Sequence, residues 1–194
     1  WRMVLVKSLN SGMAIVAERM KRDDLRSLVA QLGFGQSTNC GIPGETGGIV
    51  TSERNWSSYT QTSVAMGHEI AVTPVQMAQA FCVFARDGRM PAATLHARNG
   101  PRPIVPTYVF TPEIAAITRN TMQRVMTEGT GRRAQSDHYT MFGKSGTAQL
   151  PKANGGGYHE DRYVSSFIAG APVESPRIVV LCVIDDPDRS LGKW

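Results

Sequence analysis

Met13, Val16, Ala17 and Met20 recur three and four residues apart, a spacing that predicts a helix over about Ser11 to Met20. Asp23 reads as the N-cap of a second helix, in which Leu25, Leu28, Val29 and Leu32 keep the period until Gly33 supplies the stop. Thr73-Pro74-Val75-Gln76 is the clearest helix start in the chain, with an N-cap Thr, Pro at the first helical position and Gln placed to close a capping box. The helix it opens is expected to bury Val75, Ala78, Phe81, Cys82 and Ala85, with Met77 and Phe84 broadening the stripe, and to end at Gly88. Thr111-Pro112 opens another, whose predicted buried stripe is Ile114, Ile117, Met122, Val125 and Met126 up to Gly129.

The pattern then changes to strands, over Tyr139 to Gln149, Tyr163 to Ala171 and Arg177 to Asp185, the last two joined by a connection short enough for a hairpin. Residues 33–62 are rich in Gly, Ser and Thr and read as a long loop, which at that length is often functional. Pro91 to Pro106 reads as a surface connection. Helices first and antiparallel strands last is an α+β pattern. It is read as one domain over 1–194, with a helical part over about 1–130 and the strand and hairpin over about 138–187.

One strand carries chemistry. Lys144-Ser145-Gly146-Thr147 places an ammonium, two hydroxyls and a glycine where Val or Ile would pack better, and a glycine inside a strand points to a backbone or ligand lying against it. A cation and hydroxyls suit a carboxylate beside a reacting carbonyl, with an N–H facing the oxyanion. The same residues also fit an edge strand guarded by a lysine. Alternation puts Ser145 and Thr147 on one face and Lys144 on the other, so a shared site needs the lysine to curl around the strand. Near the other end of the chain, Ser8 and Asn10 stand at a helix entrance, where they could present a hydroxyl and an amide to one cleft or simply cap the helix.

In this order, Ser8-Leu9-Asn10 and Lys144-Ser145-Gly146 resemble the second and third motifs of the penicillin-binding protein and serine β-lactamase superfamily, Ser-x-Asn and Lys-(Thr/Ser)-Gly. The stretches between and after resemble its class B transpeptidases of the division and sporulation type. They are Gly33-Phe34-Gly35, Gly41-Ile42-Pro43-Gly44-Glu45, Gly67 to Gln79, Glu128-Gly129-Thr130-Gly131, Gly143 to Gln149, Tyr163 to Pro172 and Ile178 to Pro187. The resemblance implies a penicillin-binding/β-lactamase-like fold, a five-stranded antiparallel sheet with helices on both sides, of which two strands are not found here. It also implies serine acyl transfer on peptidoglycan stem peptides ending in D-Ala-D-Ala, with β-lactams as acylating inhibitors. Ser8, Asn10 and Lys144 take catalytic roles by that resemblance, and Ser145, Gly146 and Thr147 bind substrate. A glycan-polymerising membrane partner and an extracytoplasmic location are implied in the same way. The family also holds β-lactam-sensing and catalytically inactive interaction domains.

The first motif, Ser-x-x-Lys, is expected to be missing. Its one occurrence, Ser190-Leu191-Gly192-Lys193, follows the last strand, and Gly192 weakens the helix that should present Ser and Lys on one face. The chain is therefore expected to be a fragment without the nucleophile, lacking the C-terminal helix as well. Ser37-Thr38-Asn39 imitates the second motif, but in a Gly-rich loop with no helix behind it. No Glu-x-x-x-Asn segment of the class A β-lactamase kind occurs, which favours a transpeptidase.

Composition narrows the partners. A net charge of +5 and a pI near 9.4 raise the question of nucleic acid, but the basic residues are scattered and no basic block interleaves with aromatics, so no nucleic-acid partner is expected. The four His and three Cys have no metal-ligand spacing, and no metal or cofactor is expected. Cys82 and Cys182 sit in apolar runs and are expected to be buried, whereas Cys40 lies in a loop open to exposure. No apolar run reaches the roughly 18 residues of a membrane span.

Overall fold

The computed structural model describes residues 1–95, 107–153, 157–188 and 190. In chain order these form α1 (Arg2–Val6), α2 (Asn10–Arg19), α3 (Arg22–Gln31), β1 (Ile49–Val50), α4 (Ser58–Ala65), β2 (Ile70–Ala71), α5 (Pro74–Ala85), β3 (Arg89–Met90), β4 (Thr107–Tyr108), α6 (Pro112–Glu128), β5 (Phe142–Pro151), β6 (Tyr158–Ala171) and β7 (Ile178–Asp185). The fold is α+β. β5, β6 and β7 make an antiparallel sheet in that order, and β1 with β2 and β3 with β4 make two small ladders.

The main core lies between one sheet face and α5 and α6. Phe142, Ile168 and Val173 are buried there with Phe81 and Met122, and Val179 and Leu181 pack against them. The Phe81 and Phe142 rings stack at 5.4 Å. Phe142 pairs with Gly170 and Lys144 with Ile168, so Phe142 and Lys144 share this face and the lysine leaves the core at its rim. The other face is open on β7, where Ile178, Val180, Cys182 and Ile184 are all exposed. Two of the three thiols thus reverse the sequence reading. Cys182 is exposed and Cys82 half-buried, while Cys40 is buried in the loop, its Sγ 3.9 Å from the Glu45 carboxylate. An apolar run says nothing of which sheet face a residue occupies.

A second core joins Leu25, Val29, Trp56 and Val64. It packs α3 against the region read as one long loop, which in fact holds β1, a single tight turn and most of α4. The α4 sequence escapes periodicity because its buried positions include Thr60, Gln61 and Ser63. Gln61 accepts from the Trp56 indole and donates to Ala17 O.

The helix starts fared unevenly. Thr73 and Gln76 close the expected capping box and Thr111 caps α6. Asp23 is not a cap: the N-cap is Lys21, two residues earlier, and Asp23 and Asp24 lie in the first turn, where the helix dipole favours them. Phe81 of α5 and Met122, Val125 and Met126 of α6 are buried as predicted, and the rest of each stripe differs. α5 buries Gln76, Ala80, Phe81 and Val83, and Ile114 and Ile117 of α6 are exposed while Ala115 and Thr121 are buried. Residues 96–106 of the Pro-rich connection lie outside the described residues.

Gln76 is the polar residue in the buried face of α5. Its side chain is 1% exposed; Oε1 accepts from Thr73 N, and Nε2 lies 2.8 Å from both Gln36 O and Gly47 O and 3.2 Å from Gly33 O. Two N–H groups thus hold three loop carbonyls. Gln76→Ala leaves part-buried loop carbonyls unpaired and should cost about 2 kcal/mol in urea denaturation. A loss below about 1 kcal/mol would show that the loop holds itself.

Candidate active site

Ser8 occupies the turn between α1 and α2 with φ +55°, a left-handed conformation that side chains other than Gly seldom adopt and that often marks a functional turn. The turn is held from both sides. Leu9 N donates to Val4 O at 2.9 Å and Ser8 N to Leu5 O at 3.3 Å, while Val6 is fully buried. Lys7 reaches across the chain and donates to Glu128 O at 2.6 Å, meeting a carbonyl at the C-terminal end of α6 that has no helical partner. Neither Ser8 nor Asn10 caps α2: Leu9 is the N-cap residue, no side chain caps it, and Asn10 is its first helical residue.

Lys144 curls off the strand as a shared site requires. Its ammonium donates to Ser8 Oγ at 2.7 Å and to Ser145 O at 2.8 Å, joining residues 136 apart in sequence. The Ser145 hydroxyl lies 2.7 Å from Thr130 Oγ1. Backbone N–H and C=O groups alternate sides along a strand. Ser145 O meets the lysine at the edge of β5 away from β6, so the Thr147 N–H opens toward that same edge. Among the described residues, no strand pairs with that edge. Ser8, Asn10, Gly146 and Thr147 are exposed, and Lys144 and Ser145 are half-buried.

The glycine has a different cause from the one its strand position suggested. A Cβ on Gly146 would lie 2.7 Å from Ser166 Oγ on β6, so a side chain of the sheet itself fills that space, with Ser166 donating to Gly146 O at 3.4 Å.

The two imitation motifs lie apart from this cluster in their bonding. Thr38 is tied to the Glu45 carboxylate through both its N–H and its hydroxyl, and Asn39 turns back to Ser37 O. Ser190 Oγ donates to Asp188, and Lys193 is outside the described residues. Sequence reasoning gave no role to Lys7 or Thr130. Lys7 was signalled only by its place beside Ser8, and Thr130 by its place in the Glu128-Gly129-Thr130-Gly131 stretch.

Burial lowers the Lys144 pKa below the ordinary lysine value. The cluster is therefore a cation with a reduced hold on its proton, in contact with one hydroxyl and beside an open strand edge.

The family described as penicillin-binding protein transpeptidase domain matches residues 1–193. The chain belongs to that family. It is 35% identical over 187 residues to the probable peptidoglycan D,D-transpeptidase PbpC of Pseudomonas aeruginosa, an alignment covering 96% of this chain and 32% of that protein. It is 30% identical over 198 residues to stage V sporulation protein D of Bacillus subtilis, covering 97% and 30%. The apo transpeptidase domain of Burkholderia pseudomallei penicillin-binding protein 3 superposes with a TM-score of 0.89 at 32% identity, over 96% of this chain and 56% of that one. Penicillin-binding protein 3 of Mycobacterium tuberculosis in complex with aztreonam gives a TM-score of 0.89 at 28% identity, over 96% and 45%. The chain spans about a third of the length of the curated relatives it matches.

The lowered Lys144 pKa has a consequence for stability. The unfolded lysine titrates near ~10.4. Between the lowered folded value and that one, the unfolded chain binds more protons, so stability rises as pH climbs through this window. Urea denaturation at a series of alkaline pH values should show that increment, and Lys144→Met should lack it. Identical pH slopes for the two proteins would mean that burial does not bias the charge of Lys144.

Proposed function

We propose that this chain is the motif-two and motif-three portion of a peptidoglycan D,D-transpeptidase that cross-links stem peptides by serine acyl transfer. The observation that carries this reading is the 2.7 Å contact between Lys144 Nζ and Ser8 Oγ, set beside an open strand edge bearing Ser145 and Thr147.

The acylated serine and its lysine are assigned to sequence outside these residues, because the one Ser-x-x-Lys present follows β7 and its serine is bonded to Asp188. That serine attacks the penultimate D-Ala carbonyl, the terminal D-Ala leaves as an amine, and the acyl group passes to an amine of a neighbouring stem. Ser8 relays the proton to the leaving amine. Lys144, in contact with Ser8, lowers the energy of that transfer and supplies positive potential toward the substrate carboxylate. Ser145 and Thr147 hold the carboxylate through their hydroxyls. The Thr147 N–H is one oxyanion donor on the free edge, and Gly146 lets the strand lie close to Ser166. Asn10 orients the acyl-side amide; its side chain has no hydrogen-bond partner among the described residues. β-Lactams present a carboxylate and a strained amide in the same relation and acylate the same serine. The whole protein is assigned to the extracytoplasmic face of the cell membrane, in division, beside a glycan-polymerising partner. The relatives' names support the peptidoglycan and transpeptidase part of this reading, and the placement follows from the family resemblance.

Fluorescent penicillin tests the assignment. Residues 1–194 alone should take no covalent label, and the longer protein that includes the serine should be labelled stoichiometrically. Stable label on the 194-residue chain would overturn the placement of the nucleophile. No label on the longer protein would favour an inactive interaction domain of the same fold. In that longer protein, Lys144→Ala and Asn10→Ala should each slow acylation about a hundredfold or more, with a nearly unchanged melting temperature. Near-normal acylation of either variant removes that residue from the site.

A further inference from the structure

We propose that Thr130 is a positioning residue for the substrate carboxylate, acting through the Ser145 hydroxyl; this rests on the transpeptidase reading above. The two hydroxyl oxygens lie 2.7 Å apart, so one of them donates to the other. Each hydroxyl has one proton and two lone pairs. Ser145 cannot give its proton both to Thr130 and to a carboxylate. When an anion binds, Thr130 becomes the donor, and the chain runs from Thr130 to Ser145 to the anion. Hydroxyls in series polarise one another, so the second becomes the stronger donor. Without Thr130, the Ser145 proton has no bond that directs it toward the free edge of β5.

The position of Thr130 is fixed by its turn. Gly129 N and Gly131 N both donate to Val125 O, at 3.1 and 3.0 Å. A Cβ on Gly129 would lie 2.3 Å from Val6 O, so this close approach of α1 to the end of α6 admits only glycine. Lys7 clamps Glu128 O at 2.6 Å, and Gln135 clamps Met126 O at 2.6 Å. One turn thus grips the Ser8 segment on one side and the Ser145 hydroxyl on the other. Thr130 carries no charge and touches neither Lys144 nor Ser8 in the hydrogen-bond network, so its effect should fall on anion recognition and leave proton transfer alone.

Acylation of the full protein by benzylpenicillin and by its methyl ester, the same β-lactam without the anionic carboxylate, separates these effects. Thr130→Val should lower the second-order acylation constant for benzylpenicillin about tenfold, because the Ser145 bond to the carboxylate loses the donor behind it, mostly through weaker binding before acylation. The ester should lose less than about twofold, and Thr130→Ser should restore benzylpenicillin to within about threefold. Thr130→Ala, which needs less space, repeats the measurement should the valine variant melt early. Equal losses on both β-lactams would make Thr130 merely structural and overturn the proposal, as would wild-type rates in both variants. Labelled wild type with unaffected variants sinks this inference alone. Unlabelled wild type sinks the transpeptidase reading and this inference with it.

Discussion

A half-buried ammonium must find acceptors, and the site is built around how Lys144 finds them. Two residues before it, Phe142 is fully buried against Phe81, which fixes both the register of β5 and the face on which the lysine emerges. From that rim it takes two acceptors among the described residues, the backbone carbonyl of Ser145 and the hydroxyl of Ser8. The second exists only because the α1–α2 turn stands beside the strand with Ser8 in a left-handed conformation. A packed aromatic pair thus sets the position of a polar contact spanning 136 residues.

The element that brings the two motifs together is α6. Its apolar side, through Met122, Val125 and Met126, packs under β5, and its C-terminal turn receives Lys7 and the backbone of Val6. The orphan carbonyls of a helix end usually go to water or a cap. Here one of them ties the residue next to Ser8 to the same turn whose threonine meets Ser145. Neither motif touches the other except through the lysine, so the rigidity of this turn governs how accurately the two hydroxyls face one cleft.

The rest of the helical part acts as a scaffold held by buried amides. Gln61 joins the Trp56 indole to Ala17 O, and Gln76 joins Thr73 N to the carbonyls of Gln36 and Gly47. Such pins are strong local constraints because leaving them half-satisfied is costly. They also explain two misreadings. A glutamine in the middle of a buried face breaks the apolar stripe by which that face would be recognised, so α4 goes unseen and the α5 face is read without Gln76.

Residue types and their local order determined a good deal. The capping signals of α5 and α6, the glycine stop after α3, the strands of the sheet and the α+β order are short-range consequences of dihedral preference and hydrogen-bond capacity, and they stand in the structure close to where they were read. Ser8, Asn10 and Lys144 to Thr147 were legible as a set through motif order, which carries no distances. Tertiary structure alone decided that Lys144 turns to Ser8, that Gly146 makes room for Ser166, that Cys182 faces outward while Cys40 is buried, and that Lys7 and Thr130 join the site. Each of these depends on which face or edge a residue presents to an element far away in sequence, and packing sets that, not local preference.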